Sequence, residues 1–397
     1  MADAREVWIT GIGIVSALGE GPDAHWQRLE GAKPSADTTT FAPYIVHPLA
    51  PLELDKQIPK KGDQRQMEPW QRIGTYAAGL ALDSAGAKGN AELLGRMDLI
   101  VGAGGGERDQ AVDSVIMTGL RKAANPDVFL NERLMNDLRP TLFLAQLSNL
   151  LAGNISIVHG VTGSSRTFMG EEAAGFDALR IARARIEAGQ SDIVLVGGAH
   201  NGEREDLLVL YEAGRYTLKD RFAPVFERKA QGGGFALGSL GAFLVLEAAD
   251  HARARGAAAH AKLSRVVSDR SDRKPGNTTA LLERLWSGLA PQLGSGGIAI
   301  ISGATGAEPA TSEERDFLNA RAGVPVRATG THIGHGMEAQ FPMNVALAAV
   351  ALSHGKLFAA AEGSEMERPM DGALAQVVVT GVGHWRGEGM ALVEAAT

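Results

Sequence analysis

The sequence predicts an α/β fold, in which helices cover a sheet of buried strands. Four short apolar runs end in glycine-rich turns, and they lie at residues 99–106, 193–198, 298–303 and 377–383. These runs are continuous rather than alternating, which is typical of strands buried on both faces, as in parallel sheets. Helical patterns separate the runs, and an alternation of strands with helices favours an α/β architecture.

Two further strands and three helices are predicted from the same periodicities. The strands lie at residues 7–14 and 241–246. The helices lie at residues 70–86, 171–189 and 344–355, and each of them ends at a glycine. Glycine is favoured just beyond a helix C-terminus because it adopts the left-handed conformation without strain.

The chain divides into two predicted halves, residues 1–250 and 251–397. The change between them falls after the strand at 241–246. Each half contains a pair of glycine-ended apolar runs, which indicates an internal duplication. A polar stretch at residues 267–279, rich in Ser, Asp and Arg, predicts an exposed loop.

The composition excludes several classes of function. The 397 residues include 39 Lys and Arg against 46 Asp and Glu, so the net charge is −7. Nucleic-acid binding needs a basic face and is not expected. No apolar run reaches the ~18–20 residues of a membrane span, and the N-terminal residues run into a strand without a signal peptide. We therefore expect a cytoplasmic protein.

The sequence contains no cysteine. This absence excludes disulfides, zinc sites built on thiolates and any cysteine nucleophile. The ten histidines are scattered, and His332 and His335 alone do not make a metal site, so neither a metal nor an organic cofactor is expected.

Several motifs resemble those of the β-ketoacyl-[acyl-carrier-protein] synthases. They are Val-Trp-Ile-Thr-Gly-Ile-Gly-Ile-Val-Ser-Ala-Leu-Gly at 7–19, Gly-Gln-Ser-Asp-Ile-Val-Leu-Val-Gly-Gly-Ala at 189–199, Gly-Phe-Ala-Leu-Gly at 234–238 and Leu-Val-Leu-Glu at 244–247. The resemblance continues through nearly the whole chain. It implies the thiolase-like fold, a duplicated architecture with five layers in the order α-β-α-β-α.

The family's condensation uses a cysteine at a helix N-terminus and two histidines. A gap-free comparison from Gly160 to Gly198 places Glu172 at the cysteine position, with Glu171 before it. A carboxylate there cannot hold an acyl group as a thioester. The N-terminus of a helix does stabilise an anion and offers free N–H groups, so we expect these two glutamates to have a structural role.

Only one of the family's two histidine positions is matched by a histidine in this sequence. Gly303 stands at the histidine of the family motif Asn-Ala-His-Gly-Thr, in a stretch that ends at Thr305. His332 matches the second histidine, and Arg327 stands at the lysine five residues before it. The nearby His335 is interpreted as a surface histidine.

The family's C-terminal loop Gly-Phe-Gly-Gly is matched by Gly381, Val382 and Gly383, followed by His384. Val382 therefore replaces the loop's phenylalanine. Because two of the three catalytic groups are lost, we expect no condensation by this chain alone.

The resemblance implies a dimer in which an active ketosynthase pairs with an inactive paralogue, the chain-length factor, which shapes the acyl tunnel. We expect this chain to be such a subunit, with an acyl carrier protein and a cysteine-containing ketosynthase as partners, or to form a homodimer. The strand at 193–198 is expected to pair across the two-fold axis. Stretches at 57–76, 139–150 and 163–172 resemble, more narrowly, alphaproteobacterial proteins associated with very-long-chain fatty acids for lipid A.

Other functions stay open from the sequence. The chain could be a low-activity synthase or a malonyl-carrier decarboxylase, in which a protonated Glu172 mimics the glutamine of the family's decarboxylases. Ser164 or Ser165 could act as a substitute nucleophile, although no Gly-x-Ser-x-Gly turn surrounds them.

A third alternative is a non-enzymatic homodimer that binds acyl chains or carrier protein. Basic side chains would then contact the acidic carrier, and the candidates are Arg65, Arg72, Arg133 and Arg139. For each of them, an ordinary solvated surface is the favoured interpretation.

Overall fold

The computed structural model describes residues 5–31, 33–138 and 146–396. The strands are β1 (Val7–Ser16), β2 (Gly19–Glu20), β3 (Val46–His47), β4 (Asp98–Gly102), β5 (Ser165–Phe168), β6 (Ile193–His200), β7 (Leu237–Gly238), β8 (Leu240–Ala248), β9 (Ala261–Asp269), β10 (Ile298–Ser302), β11 (Val326–Ala328), β12 (Gln376–Val382) and β13 (Glu388–Glu394).

The α-helices of the described residues are α1 (Gly21–Glu30), α2 (Lys61–Gln66), α3 (Pro69–Ser84), α4 (Ala91–Arg96), α5 (Gln110–Leu120), α6 (Pro126–Asn136), α7 (Leu150–His159), α8 (Glu172–Glu187), α9 (Glu205–Ala213), α10 (Ala249–Ala254), α11 (Asn277–Leu289), α12 (Ala310–Asn319), α13 (Gly330–Ile333) and α14 (Gln340–Ser353). The six strands and three helices predicted above are confirmed, with shifts of a few residues at their ends. In the part of the chain that is described, no helix is both long and apolar enough to cross a membrane.

One mixed sheet runs through the molecule in the order β11-β10-β12-β13-β9-β1-β8-β6-β4-β5, and β2 pairs with β1. The five strands from β5 to β1 form one half-sheet, and the five from β9 to β11 form the other. The two half-sheets are joined where Trp8 pairs with Lys262 and Ile9 pairs with Ala261.

The continuous apolar runs reflect burial on both faces, but not parallel pairing throughout. Strands β6 and β8 are buried along their whole length, yet β8 is antiparallel to both β1 and β6. Parallel pairs are formed by β4 with β5 and β6, and by β10 with β11 and β12. The expectation of a parallel sheet is therefore correct for only part of it.

Helices α8 and α14 lie between the two half-sheets. Their side chains, such as Phe176 and Phe341, share one hydrophobic core with Ile12 of the first half-sheet and Val379 of the second. Helices α3 and α7 pack on the outer face of the first half-sheet, while α11 and α12 pack on the outer face of the second. The predicted five-layered α-β-α-β-α architecture is thus confirmed.

The close approach of α3 to β1 depends on two glycines of the strand. A Cβ atom at Gly13 would lie 2.0 Å from the carbonyl oxygen of Ala77, and one at Gly11 would lie 2.3 Å from that of Ala81. Any larger residue would therefore push the helix away from the sheet. The small alanine side chains of α3 also allow this close contact.

Two sequence-based expectations about the sheet are wrong. Strand β6 cannot pair with another chain, because β8 and β4 occupy its two edges. The stretch 267–279 is not wholly a loop, since β9 extends to Asp269 and α11 begins at Asn277. The division at 250/251 stays a prediction, although β8 ends at Ala248 and β9 begins at Ala261.

Candidate functional site

Helix α8 begins at the candidate site after a sharp turn. The residue before the helix, Glu171, has φ 55° and ψ −133°, and Gly170 before it has φ 140°. A non-glycine residue in such a conformation costs about 1–3 kcal/mol and is held by its surroundings. Here the Glu171 carboxylate accepts a hydrogen bond from the indole N–H of Trp385. Within the described structure it does not cap the helix, which corrects the expectation of a capping role.

Glu172 is buried and engages two imidazoles through a single oxygen. Its Oε1 lies 2.7 Å from Nε2 of His335 and 2.9 Å from Nδ1 of His384. The backbone N–H of His384 donates to the same oxygen over 3.1 Å. No more than 5% of any of these three side chains is exposed. The triad joins the start of α8, the segment between α13 and α14, and the loop after β12.

The charges within the triad reinforce each other. Burial would raise the pKa of Glu172, but the charge of His384 and the hydrogen bonds from both imidazoles hold that pKa well below its usual range. Burial likewise acts to lower the pKa of His384, and the neighbouring Glu172 carboxylate outweighs it and raises the pKa. Glu172 is therefore ionised. This disfavours the decarboxylase hypothesis, which requires a protonated carboxyl.

The interpretation of His335 as a surface residue is wrong. Only 2% of the residue is exposed. Its backbone is fixed beside β7, because its N–H donates to the carbonyl of Ala236 over 2.8 Å and its own carbonyl accepts from Gly238 over 2.9 Å. The sequence did contain a signal for this residue. Gly334 and His335 form a second possible match to the family's Gly-His pair.

His332 lies elsewhere, on α13. It is 1% exposed, and among the described residues neither of its ring nitrogens has a hydrogen-bond partner. Burial, assisted by the charge of Arg327, lowers the pKa of His332 to about 4. The structure thus brings His335, and not His332, into contact with Glu172.

Arg327 does not reach the triad either. Its guanidinium donates to the carbonyls of Phe358, Val326 and Arg368 at 2.7, 2.8 and 2.8 Å. Thr305 lies in a turn, where its hydroxyl accepts from the backbone N–H of Ala307 over 3.0 Å. These two residues belong to the sequence-predicted site but are not brought to Glu172.

Gly303, Gly381 and Val382 do line a cleft beside Glu172 and His335. The space that the cleft leaves to a water-sized sphere is about 10 Å³, which suffices for a single water molecule. It has no room for an acyl chain.

The backbone also excludes side chains at two of the site glycines. A Cβ at Gly303 would lie 2.6 Å from the carbonyl oxygen of Thr380, so the position assigned to the lost histidine has no space for a side chain. A Cβ at Gly383 would lie 2.0 Å from the carbonyl oxygen of Arg386.

His384 and Trp385 are site residues that sequence reasoning missed. The His384 ring packs within 6 Å of three aromatic rings, with centroid distances of 5.5 Å to Tyr211, 4.7 Å to Tyr216 and 5.6 Å to Phe235. The available signal was a histidine directly after the matched glycine loop. A loop residue with no helical or strand periodicity does not reveal which way it points.

A larger cavity of about 500 Å³ lies on the other side of Glu171. Its lining includes Tyr211, Arg204 and the buried Glu338. Burial raises the pKa of Glu338 to about 8, and the charges of Glu171 and Glu172 add to this shift. The environment of Glu338 therefore favours its protonated form.

The alternative nucleophiles and basic residues gain no support. Ser164 and Ser165 are exposed, and in the described chain neither hydroxyl is bonded to a histidine. Arg72 donates to the carbonyl of Gln64.

Arg133 forms an ion pair with Asp137 over 3.2 Å, while Arg65 is exposed. Arg139 lies outside the described residues, as does most of the stretch 139–150.

Three side chains that could ligate a metal lie close together in the structure. Sequence spacing predicts no metal site, yet the structure brings one ligand atom each from Glu172, His335 and His384 within 4.8 Å of one another. Their positions in the sequence are too far apart for any spacing rule to detect.

The chain is similar in sequence and in fold to known proteins. The family described as "Beta-ketoacyl synthase, N-terminal domain" matches residues 4–252. The 3-oxoacyl-[acyl-carrier-protein] synthase 2 of Vibrio cholerae is 25% identical over 268 residues, which are 65% of this chain and 62% of that protein. The chain thus spans about 62% of the length of this curated relative.

Two solved structures share the fold over 99% of this chain and 100% of their own. One, titled "The ishigamide ketosynthase/chain length factor", has a TM-score of 0.80 at 19% identity. The other is a type II PKS acyl-carrier protein in complex with its ketosynthase bound to the hexaketide, with a TM-score of 0.73 at 17% identity. Together, the family match and the five-layered architecture show that the chain belongs to the β-ketoacyl synthase family and has its thiolase-like fold.

Proposed function

We propose that this chain is the non-condensing, chain-length-factor-like subunit of a β-ketoacyl-acyl-carrier-protein synthase dimer. The observation that carries the proposal is Glu172. It starts α8 at the family's cysteine position and is held as a buried carboxylate by His335 and His384. A carboxylate cannot accept an acyl group as a thioester, and the sequence holds no cysteine that could do so instead.

The closed cleft supports the same conclusion. About 10 Å³ is open beside Glu172, and the indole of Trp385 is bonded to Glu171 at the turn before the helix. Neither an acyl chain nor a carrier's thioester can approach this position. The chemistry would therefore take place on a partner that retains its cysteine and histidines.

A surface around β5 suits the dimer. Of the described strands, only β4 pairs with β5, so one edge of β5 is free to add a strand of another chain. Large apolar side chains are exposed nearby, with Met169 at 68% directly after β5 and Ile157 at 72% on α7, which packs against β5. Such exposure is typical of a surface that binds another protein.

We assign the subunit to fatty acid biosynthesis in the cytoplasm, with an acyl carrier protein as a further partner. The printed names of the similar proteins, a carrier-protein-dependent synthase and a ketosynthase/chain length factor, support this assignment. The motifs at 57–76 and 163–172 support a very long acyl chain destined for lipid A.

The test is to purify the chain alone and together with a candidate cysteine-containing ketosynthase, and to supply acyl- and malonyl-carrier protein. We expect no condensation by the chain alone, stable association with the ketosynthase, and condensation by the pair. The pair should also yield a longer product than the ketosynthase alone. Condensation by the isolated chain at rates typical of the family would overturn the proposal. A chain that forms only its own dimer and never binds a ketosynthase would favour the carrier-binding homodimer instead.

A further inference from the structure

We propose that Glu172, His335 and His384 bind one zinc ion at the N-terminus of α8. Two imidazoles and one carboxylate form a donor set that zinc uses in proteins with three protein ligands and one open position. The three ligand atoms lie within 4.8 Å of one another, and all three residues are buried.

The hydrogen bonding of the triad is over-full without an ion. Oε1 of Glu172 faces three nitrogens, which are Nε2 of His335, Nδ1 of His384 and the backbone N–H of His384, at 2.7, 2.9 and 3.1 Å. A single carboxylate oxygen has two lone pairs to offer. A shared cation relieves this crowding, because each ring nitrogen then directs a lone pair at the ion instead of a proton at the oxygen.

The distances suit an ion after a small expansion. Ligands that lie about 2.0–2.2 Å from a tetrahedral zinc are separated from each other by roughly 3.3 Å. The nitrogens of His335 and His384 are 2.7 and 2.9 Å from Oε1. Shifts of about half an ångström would bring each nitrogen to the tetrahedral separation from Oε1, and the ligand atoms all lie within 4.8 Å of one another.

The surroundings supply what a zinc ligand needs outside the first contacts. Nε2 of His384 lies 4.0 Å from Oε1 of Glu171, so a carboxylate stands on the side of the ring opposite the ligating Nδ1. The rings of Tyr211, Tyr216 and Phe235 hold the imidazole in place. Glu171 and Glu172 together also balance the charge of the ion.

The cleft beside the triad provides the open position. It is lined by Glu172 and His335 and has space for one water-sized sphere, about 10 Å³. Three protein ligands and one water complete a four-coordinate zinc.

The experiment uses the full chain, freed of any histidine tag and stripped with a chelator. Zinc is titrated by calorimetry, and cobalt is added as a spectroscopic substitute. We expect one zinc per chain that survives gel filtration, and a visible cobalt band that zinc abolishes. His384→Ala and Glu172→Gln should weaken binding by more than ~100-fold, beyond the effect of removing a residue outside the ligand set.

The matched control is His354→Asn, because His354 is an exposed histidine that stacks on Trp26 far from the triad. Its zinc and cobalt binding should equal that of the unaltered chain. The proposal would be overturned if the unaltered chain loses its zinc on gel filtration. It would also be overturned if His384→Ala binds zinc as tightly as the unaltered chain does. If circular dichroism shows that His384→Ala does not fold, zinc binding by the nearly isosteric variant Glu172→Gln decides the test. The absence of a cobalt band in the unaltered chain overturns the proposal without any variant.

Discussion

Nε2 of His335 lies 2.7 Å from Oε1 of Glu172, although the two residues are 163 positions apart in the sequence. The contact joins the start of α8, which follows the first half-sheet's edge strand, to the segment that leads into α14. Both helices belong to the central layer. The relationship therefore links the first residue of α8 directly to the packing that holds the two half-sheets together.

Replacing Glu172 by cysteine should not create a condensing enzyme. The thiol would stand at the family's position, but Gly303 supplies no histidine and the cleft has about 10 Å³ of free space. We expect no thioester on Cys at this position after incubation with acyl-carrier protein, as measured by intact-protein mass spectrometry, and no condensation product. Efficient acylation of the variant would show that the cleft opens and would contradict the proposed closed site.

Gly303→Ala should destabilise the protein by about 1–3 kcal/mol, the usual effect of overfilling a packed core. The added Cβ would lie 2.6 Å from the carbonyl oxygen of Thr380, which is backbone and cannot rotate away. Urea denaturation measures the change. Gly323→Ala is the matched control, because nothing lies within 4 Å of a Cβ there, and it should change stability by less than ~0.5 kcal/mol. Equal stability of the two variants would mean that β12 yields at this point.

The stability of the chain should fall as the pH drops below about 6.5. Burial lowers the pKa of His25 from 6.5 to about 4, with a smaller opposing effect from its hydrogen bond to Gly21. Between these two values the unfolded chain binds the proton and the folded chain does not, so stability rises with pH across this window and is fully present above 6.5. Each such histidine contributes a slope of about 1.4 kcal/mol per pH unit.

The variant His25→Gln isolates this contribution. Gln does not titrate, so the variant should show a slope that is smaller by about one proton between pH 4 and 6.5. Denaturant unfolding at several pH values measures it, and only the slope is compared, because the variant also loses the bond to Ser16. An unchanged slope would show that His25 is protonated in the folded state.

Met169→Glu should weaken dimer formation without unfolding the subunit. The side chain is 68% exposed at the free edge of β5, so a charge there is well solvated in the single chain but buried in a dimer. Analytical ultracentrifugation of the variant, alone and mixed with the cysteine-containing ketosynthase, should show less dimer and more monomer than the original chain gives. Ser287→Glu places the same charge on the exposed face of α11 and should leave association unchanged. If both variants dimerise as the original chain does, the interface lies elsewhere.

The fold was largely predictable because buried strands and helices have apolar patterns that are visible in the local sequence. The run at 193–198 is apolar since β6 is covered on both faces, and the pattern at 171–189 has helical period because α8 buries part of its surface. The direction of a strand and the identity of the strands that pair with it do not produce such a pattern. This is why β6 was wrongly expected at the dimer edge, when β4 and β8 occupy both of its sides.

The candidate site was predictable only in part. Motif matching selected Glu172 and Gly303, and the structure places both beside one cleft. It chose His332 over His335, which lies three residues further on, and the local sequence does not show which of the two rings faces Glu172. His384 could not be assigned, because its role comes from contacts with chain segments far away in the sequence.

The backbone of Glu171, with φ 55° and ψ −133°, is an unfavourable conformation directly before α8. It persists because several contacts hold it at once: the indole of Trp385 on Glu171, and the imidazoles on Glu172. These contacts join Glu171 and Glu172 to the loop after β12 and to the segment before α14. The turn, the loop after β12 and the first residues of α8 are thus held to one another, and opening this part of the molecule requires several contacts to break.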